Sequence, residues 1–428
     1  MFRELREMVF ALTALVATAT TTVFAAEARA DEEPLVFVAD PKMGVETTVR
    51  TTDSVGRFVF RYESLLPDFG VDEDHVPGRI IGVLGRGLKL VLIDEPLAEI
   101  ISEVSHEVGG HGGRARQLGL DPTFLFYLPA TYRKVFAPHD EASAGAFTQF
   151  LTRVPVEGDR AMLGTLGGLE ANYVHAWWIN ERIVRARGRV HHGDLLVYLA
   201  SKLPYLDSFY SSPSEVESGN DVNTYVTHLQ DRFNRWTAGD RRAISRRLGA
   251  AYVWNLVDPT LIYGVYAELV SNVIQGKTVT KMPLPNIGGV TTFLSPRFNL
   301  SPWGAEQYLD LFLARGSRVL DVYGRVGSSG LADYYGAGAR VLGVRVGDRT
   351  ELGGELDVWR QPEILVDERE VFERPERLGL NAGVFFDVRI ASIVGVTGKL
   401  AAKTPGYVMG QPVDGGPYGY LGVSLAVP

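Results

Sequence analysis

The period of the apolar positions divides the chain. After Asp94, residues Leu97, Ile100, Ile101, Val104 and Val108 recur at helical spacing, with Asp94 as N-cap and Pro96 in the first turn. Gly119 and Asp121-Pro122 close that helix. Further helices are predicted over 141–151, 160–187, 193–202, 221–236, 240–248 and 261–274. The aromatic stretch 123–132 reads as a strand beside the first helix or as core. Past Lys281 a period of two takes over. Leu380, Ala382, Val384, Phe386, Val388 and Ile390 alternate with Asn381, Gly383, Phe385, Asp387 and Arg389. Leu421, Val423, Leu425 and Val427 alternate with Tyr420, Gly422, Ser424 and Ala426. Similar segments near 287–294, 305–313, 317–327, 338–347, 351–360 and 392–403 bring the total to about eight strands of roughly ten residues, the length that crosses an outer membrane. Arg325, Asp357, Asp387 and Lys399 fall on the polar face, which then faces inward. Nearer the N-terminus, 35–39 and 57–62 read as short strands, and Gly82, Gly85 and Gly87 as turns.

Composition narrows the chemistry. A formal charge of -8 argues against a general nucleic-acid binder. The chain has no cysteine, which excludes disulfides, thiolate zinc sites and cysteine nucleophiles. Any metal must be held by His, Asp or Glu. Arg3 and Arg6, an apolar run from Met8, and Ala28-Arg29-Ala30 before Asp31 form a secretory signal pattern. The expectation is export to the periplasm or outer membrane of a Gram-negative bacterium.

The densest ionisable chemistry is Ser105-His106-Glu107-Val108-Gly109-Gly110-His111. Hydrolysis by zinc needs three protein ligands, an open position and a carboxylate that takes a proton from water. Histidines four apart lie about 40° apart on a helix; these, five apart, lie about 140° apart and cannot aim at one ion on a regular α-helix. One wide turn of π type restores convergence. Gly109 and Gly110 sit where that distortion is easiest.

His106-Glu107-Val108-Gly109-Gly110-His111-Gly112 resembles the H-E-x-x-G-H-G helix of the dipeptidyl peptidase III family of zinc peptidases. The resemblance covers this heptad alone; the family's E-E-C-R-A-D/E motif is absent. It implies that His106 and His111 bind zinc, that Glu107 is the general base, and that a glutamate on a later helix is the third ligand. A looser likeness to the first motif of site-2-type intramembrane proteases runs through Arg114, Ala115, Leu118 and Gly119, with one extra residue.

Glu170, after Gly167-Gly168 and among Leu166, Tyr173 and Val174, is the candidate third ligand, because a carboxylate on such a face needs a cation or a partner. An arginine partner is the alternative. His175 is a further candidate, Asp258 another if the intramembrane-protease likeness holds. Glu103 could orient an imidazole. His139-Asp140-Glu141 reads as a helix start, His191-His192 as a surface loop, and Tyr127, Tyr132, Tyr225 and His228 as packing residues.

The expected fold is α+β and multidomain. It comprises a signal peptide (1–30), a mixed strand segment (31–93), a helical zincin-like domain (94–276) and an antiparallel β-barrel of about eight strands (277–428). The expected function is zinc-dependent hydrolysis of a peptide or protein substrate in the periplasm, with outer-membrane lipid around the barrel. A non-enzymatic channel or scaffold is the alternative.

Overall fold

The computed structural model describes residues 34–63, 75–127, 129, 132, 146–151, 158–203, 209, 221–232, 241–328, 333–364 and 376–426. The signal pattern and His139-Asp140-Glu141 lie outside them. Strand β1 (Leu35–Ala39) leads into α1 (Val45–Glu63). A helical rod follows: α2 (Val76–Lys89), a π turn (Leu90–Asp94), α3 (Glu95–Val104), a second π turn (Ser105–His111) and α4 (Gly112–Gln117). Next come the paired strands β2 (Asp121–Phe126) and β3 (Ala146–Leu151), the long helix α5 (Gly158–Arg185), β4 (Arg189–His191), α6 (His192–Lys202), α7 (Asp221–Arg232) and α8 (Arg241–Tyr252). A 3-10 turn (Val253–Val257), α9 (Pro259–Tyr266) and a third π turn (Ala267–Ile274) run on to β5 (Val279–Lys281), which pairs with β4. The strands β6 (Asn286–Ile287), β7 (Val290–Ser301), β8 (Gly304–Arg315), β9 (Arg318–Ser328), β10 (Asp333–Val346), β11 (Thr350–Pro362), β12 (Glu376–Arg389), β13 (Val394–Lys403) and β14 (Gly416–Leu425) complete the chain.

The strands β6 to β14 and β1 form one ten-stranded antiparallel sheet, in the order β1-β14-β13-β12-β11-β10-β9-β8-β7-β6. It is not the expected closed barrel. Its two edges meet helices instead of each other. On α1, the hydroxyls of Thr51 and Ser54 accept from the backbone N–H groups of Val38 and Val36 and donate to the same residues' carbonyls. They stand in for a neighbouring strand along β1. At the other edge Asn255 accepts from Phe298 N. Unpaired edge groups are costly once removed from water, and these side chains satisfy them.

A zincin-like arrangement is not shown among the helices, which pack against the sheet. The sheet wraps around α5 and α1. Trp177 donates to Asp321 on β9, Arg185 to Glu351 on β11, and Lys399 on β13 to Glu46 on α1. Further ion pairs face inward, Arg297 with Asp310 and Arg325 with Glu306. The opposite face is apolar and exposed, as at Leu294, Leu309, Val326, Leu378 (82%), Leu400 (65%) and Leu421 (60%). The inner face thus mixes paired charges with core residues such as Phe293, Phe298 and Phe312, while the outer face carries exposed apolar side chains.

Several local expectations are corrected. Residues 57–62 belong to α1, not a strand. Val45, Val49, Gly56 and Phe60 fall on one helical stripe and are buried or packed, while Phe58 and Tyr62, four apart, stack outside at 4.5 Å. Gly82, Gly85 and Gly87 lie within α2 rather than in turns. Asp94 does not start a helix but sits mid-rod beside Lys89. Ala146–Leu151, expected as helix, is β3.

Candidate metal centre

The rod changes pitch at the motif. Ser105–His111 is a π turn, as the five-residue spacing requires, and it brings the two rings together: His106 Nε2 and His111 Nε2 are 3.1 Å apart. The glycines allow this contact and also a second one. A Cβ on Gly110 would stand 2.2 Å from the carbonyl oxygen of Gly167, so Gly110 and Gly167 let the π turn lie directly on α5. A Cβ on Gly168 would stand 2.2 Å from His106 Cε1 and 2.6 Å from His111 Nε2. Gly168 therefore leaves the space that the rings occupy.

His111 is oriented by the backbone. Its Nδ1–H donates to the Gly164 carbonyl at 2.7 Å, which leaves Nε2 facing the site. His106, Glu107 and His111 each present a ligand atom within 4.8 Å of the others. The atom that closes the set is Oδ2 of Asp221, at the start of α7, 2.8 Å from His106 Nε2 and 3.1 Å from His111 Nε2. Two imidazole nitrogens and a carboxylate oxygen thus form a triangle with edges of 2.8–3.1 Å. Ligand atoms on a tetrahedral zinc stand about 3.3 Å apart, given bonds near 2.0–2.1 Å. The donor set and its size fit such an ion, which a small movement of the side chains would admit.

The electrostatics point the same way. Lone pairs this close repel unless a cation lies between them. Burial disfavours a charged His111, but the Asp221 carboxylate, then Glu107 and the Gly164 carbonyl, reverse this and raise its pKa to about 9. Burial opposes ionisation of Asp221 too, yet the two histidines hold its pKa well below the usual carboxylate range. Protonated His111 thus meets the Asp221 carboxylate, and a metal ion held there would have to displace that proton.

Glu107 stands apart from the triangle. Its Oε1 is 3.9 Å from His106 Nε2, and its Oε2 accepts from Thr148 Oγ1 on β3 at 2.5 Å. One carboxylate oxygen is anchored by β3 and the other turns toward the site.

The expected third ligand is elsewhere. Glu170 is fully buried, but Arg114 of α4 binds it with both arms of its guanidinium, and Gly410 N donates to it. Its charge is met by an arginine, the alternative that sequence leaves open. His175 lies 2.9 Å from Ser105 Oγ through Nδ1 and 3.2 Å from Asp53 through Nε2, so it fixes the start of the π turn from behind. Asp258 caps α9 and pairs with buried Lys202 and Tyr198. Glu103, half-buried on α3, is not in the cluster. His192 is buried near Glu268 rather than in a surface loop, and Tyr225 is core. Sequence reasoning missed Asp221, visible only as the first residue of a predicted helix, and Thr148, which fell in a segment expected to be helical.

Comparison with protein-family models, with curated proteins and with solved structures yields no match.

Proposed function

We propose that the chain is a zinc-dependent hydrolase of peptide or other amide bonds, seated in an outer membrane. The observation that carries the reading is the His106–His111–Asp221 triangle with the separately held Glu107 beside it. A zinc ion there supplies Lewis acidity toward the scissile carbonyl and toward water. The chain's own groups do the rest. His106, His111 and Asp221 would be the ligands. The Gly164 carbonyl fixes the His111 tautomer and ring. Glu107 accepts a proton from the attacking water and returns it to the leaving amine. Thr148 holds that carboxylate in one orientation. The heptad's resemblance to dipeptidyl peptidase III supports the roles of His106, Glu107 and His111, while Asp221 takes the place of that family's glutamate.

The membrane part rests on the sheet. Strands β7 to β14 are 10 to 14 residues long, as a tilted crossing requires. Their outward face is apolar and their charges pair inside. Among the described residues no helix is long and apolar enough to cross a membrane. Side chains of Ser54, Thr51 and Asn255 pair with backbone groups of Val36, Val38 and Phe298 at the β1 and β7 edges, as lipid favours.

The test compares wild type with Glu107→Gln for zinc content and for hydrolysis of a peptide mixture. Zinc in both, with hydrolysis only in wild type, is the expected result. Equal hydrolysis in both would remove Glu107 from the mechanism.

A further inference from the structure

We propose that the metal centre lies at the outer, cell-surface end of the membrane-crossing strands and not at the periplasmic end. The inference rests on the membrane reading above and adds a direction to it. Because the sheet is an up-and-down meander, its connections alternate between two ends.

The metal centre marks one end. Tyr225, on the same helix as Asp221, donates to the carbonyl of Ser301, where β7 ends. Arg114 donates to Gln411 O, and Gly410 N donates to Glu170, both in the connection before β14. The strand ends at Ser301, Ser328, Pro362 and Lys403 therefore share the metal end. The far end carries 288–289, 316–317, 347–349 and 390–393. Helix α5 measures the distance between them. Gly168 faces His106, and Arg185 pairs with Glu351 beside the 347–349 turn. At 1.5 Å per residue these positions are about 26 Å apart along the helix. The hydrocarbon core of a bilayer is about 30 Å thick. The metal centre and the short-turn end thus lie at opposite ends of a span close to that thickness.

The asymmetry of the connections decides which side is which. Far-end turns are uniformly tight, while at the metal end the strand bounds leave many more residues between β11 (ending at Pro362) and β12 (from Glu376), and between β13 (ending at Lys403) and β14 (from Gly416). Outer-membrane strand proteins keep short turns in the periplasm and long connections outside. The metal end is then external. The substrate is an amide met at the cell surface, such as an extracellular peptide.

Because the chain lacks cysteine, single cysteines report the side directly. Asp414→Cys marks the metal end and Asp348→Cys the far end; both positions are exposed. The full chain would be produced in a Gram-negative host, fractionated, and labelled with a membrane-impermeant maleimide in intact and permeabilised cells. With the chain in the outer-membrane fraction, Asp414→Cys should label in intact cells and Asp348→Cys only after permeabilisation. The reverse pattern would overturn the orientation and leave the membrane reading standing. A soluble chain, or both positions labelled in intact cells, would overturn the membrane reading itself.

Discussion

Gly168 faces His106 so closely that a Cβ would stand 2.2 Å from ring atom Cε1. No separation that short occurs between real side chains, so the ring must move if one is added. Gly168→Ala is predicted to displace His106 and His111 together and to weaken zinc binding by about 100-fold, the upper end of what disturbed ligand orientation costs. The measurement is zinc affinity by competition with a chelating dye. Unchanged affinity would mean that the rings do not act together.

Arg114 and Glu170 form a fully buried ion pair. Removing one partner strands the other, which costs about 3–5 kcal/mol. Glu170→Gln is therefore expected to lower the unfolding midpoint sharply, while the folded fraction still binds zinc. Loss of zinc from protein that remains folded would return Glu170 to the ligand set.

The metal affinity should depend on pH through His111. Its pKa in the metal-free fold is about 9, against an ordinary 6.5, so it gains stability from its partners when protonated. That contribution is complete below pH 6.5 and is lost as pH rises through 9. Metal must displace the same proton, so apparent zinc affinity should rise about tenfold per pH unit from 6.5 to 9 and then level. Calorimetry in buffers of different ionisation enthalpy would show about one proton released per ion at pH 7.5. An affinity flat over this range would contradict the assignment.

Much of this was readable from period and spacing. The eight long strands follow from alternation that persists for ten or more residues. The π turn follows from histidines that cannot converge at 100° per residue. What was not readable depended on distance in the chain. Asp221 reaches His106 across 115 residues, and nothing in its neighbourhood distinguishes it from an ordinary first helical residue. Glu170 looked like a ligand because its surroundings were apolar, but local sequence does not reveal that Arg114 meets it. The closed barrel failed for the same reason: Thr51 and Ser54 sit on α1, where hydroxyls carry no mark that they finish a sheet edge. The strand reading of 57–62 failed because Phe58 and Tyr62 fit a period of two and a period of four equally well.

The central claim is that His106, His111 and Asp221 hold one ion while Glu107 does not. Metal content of purified, dialysed protein tests it most directly. Wild type and Glu107→Gln are predicted to carry one zinc per chain, and His106→Ala, His111→Ala and Asp221→Ala to carry almost none. A wild type without zinc, or an Asp221→Ala variant that holds zinc as wild type does, would contradict the account.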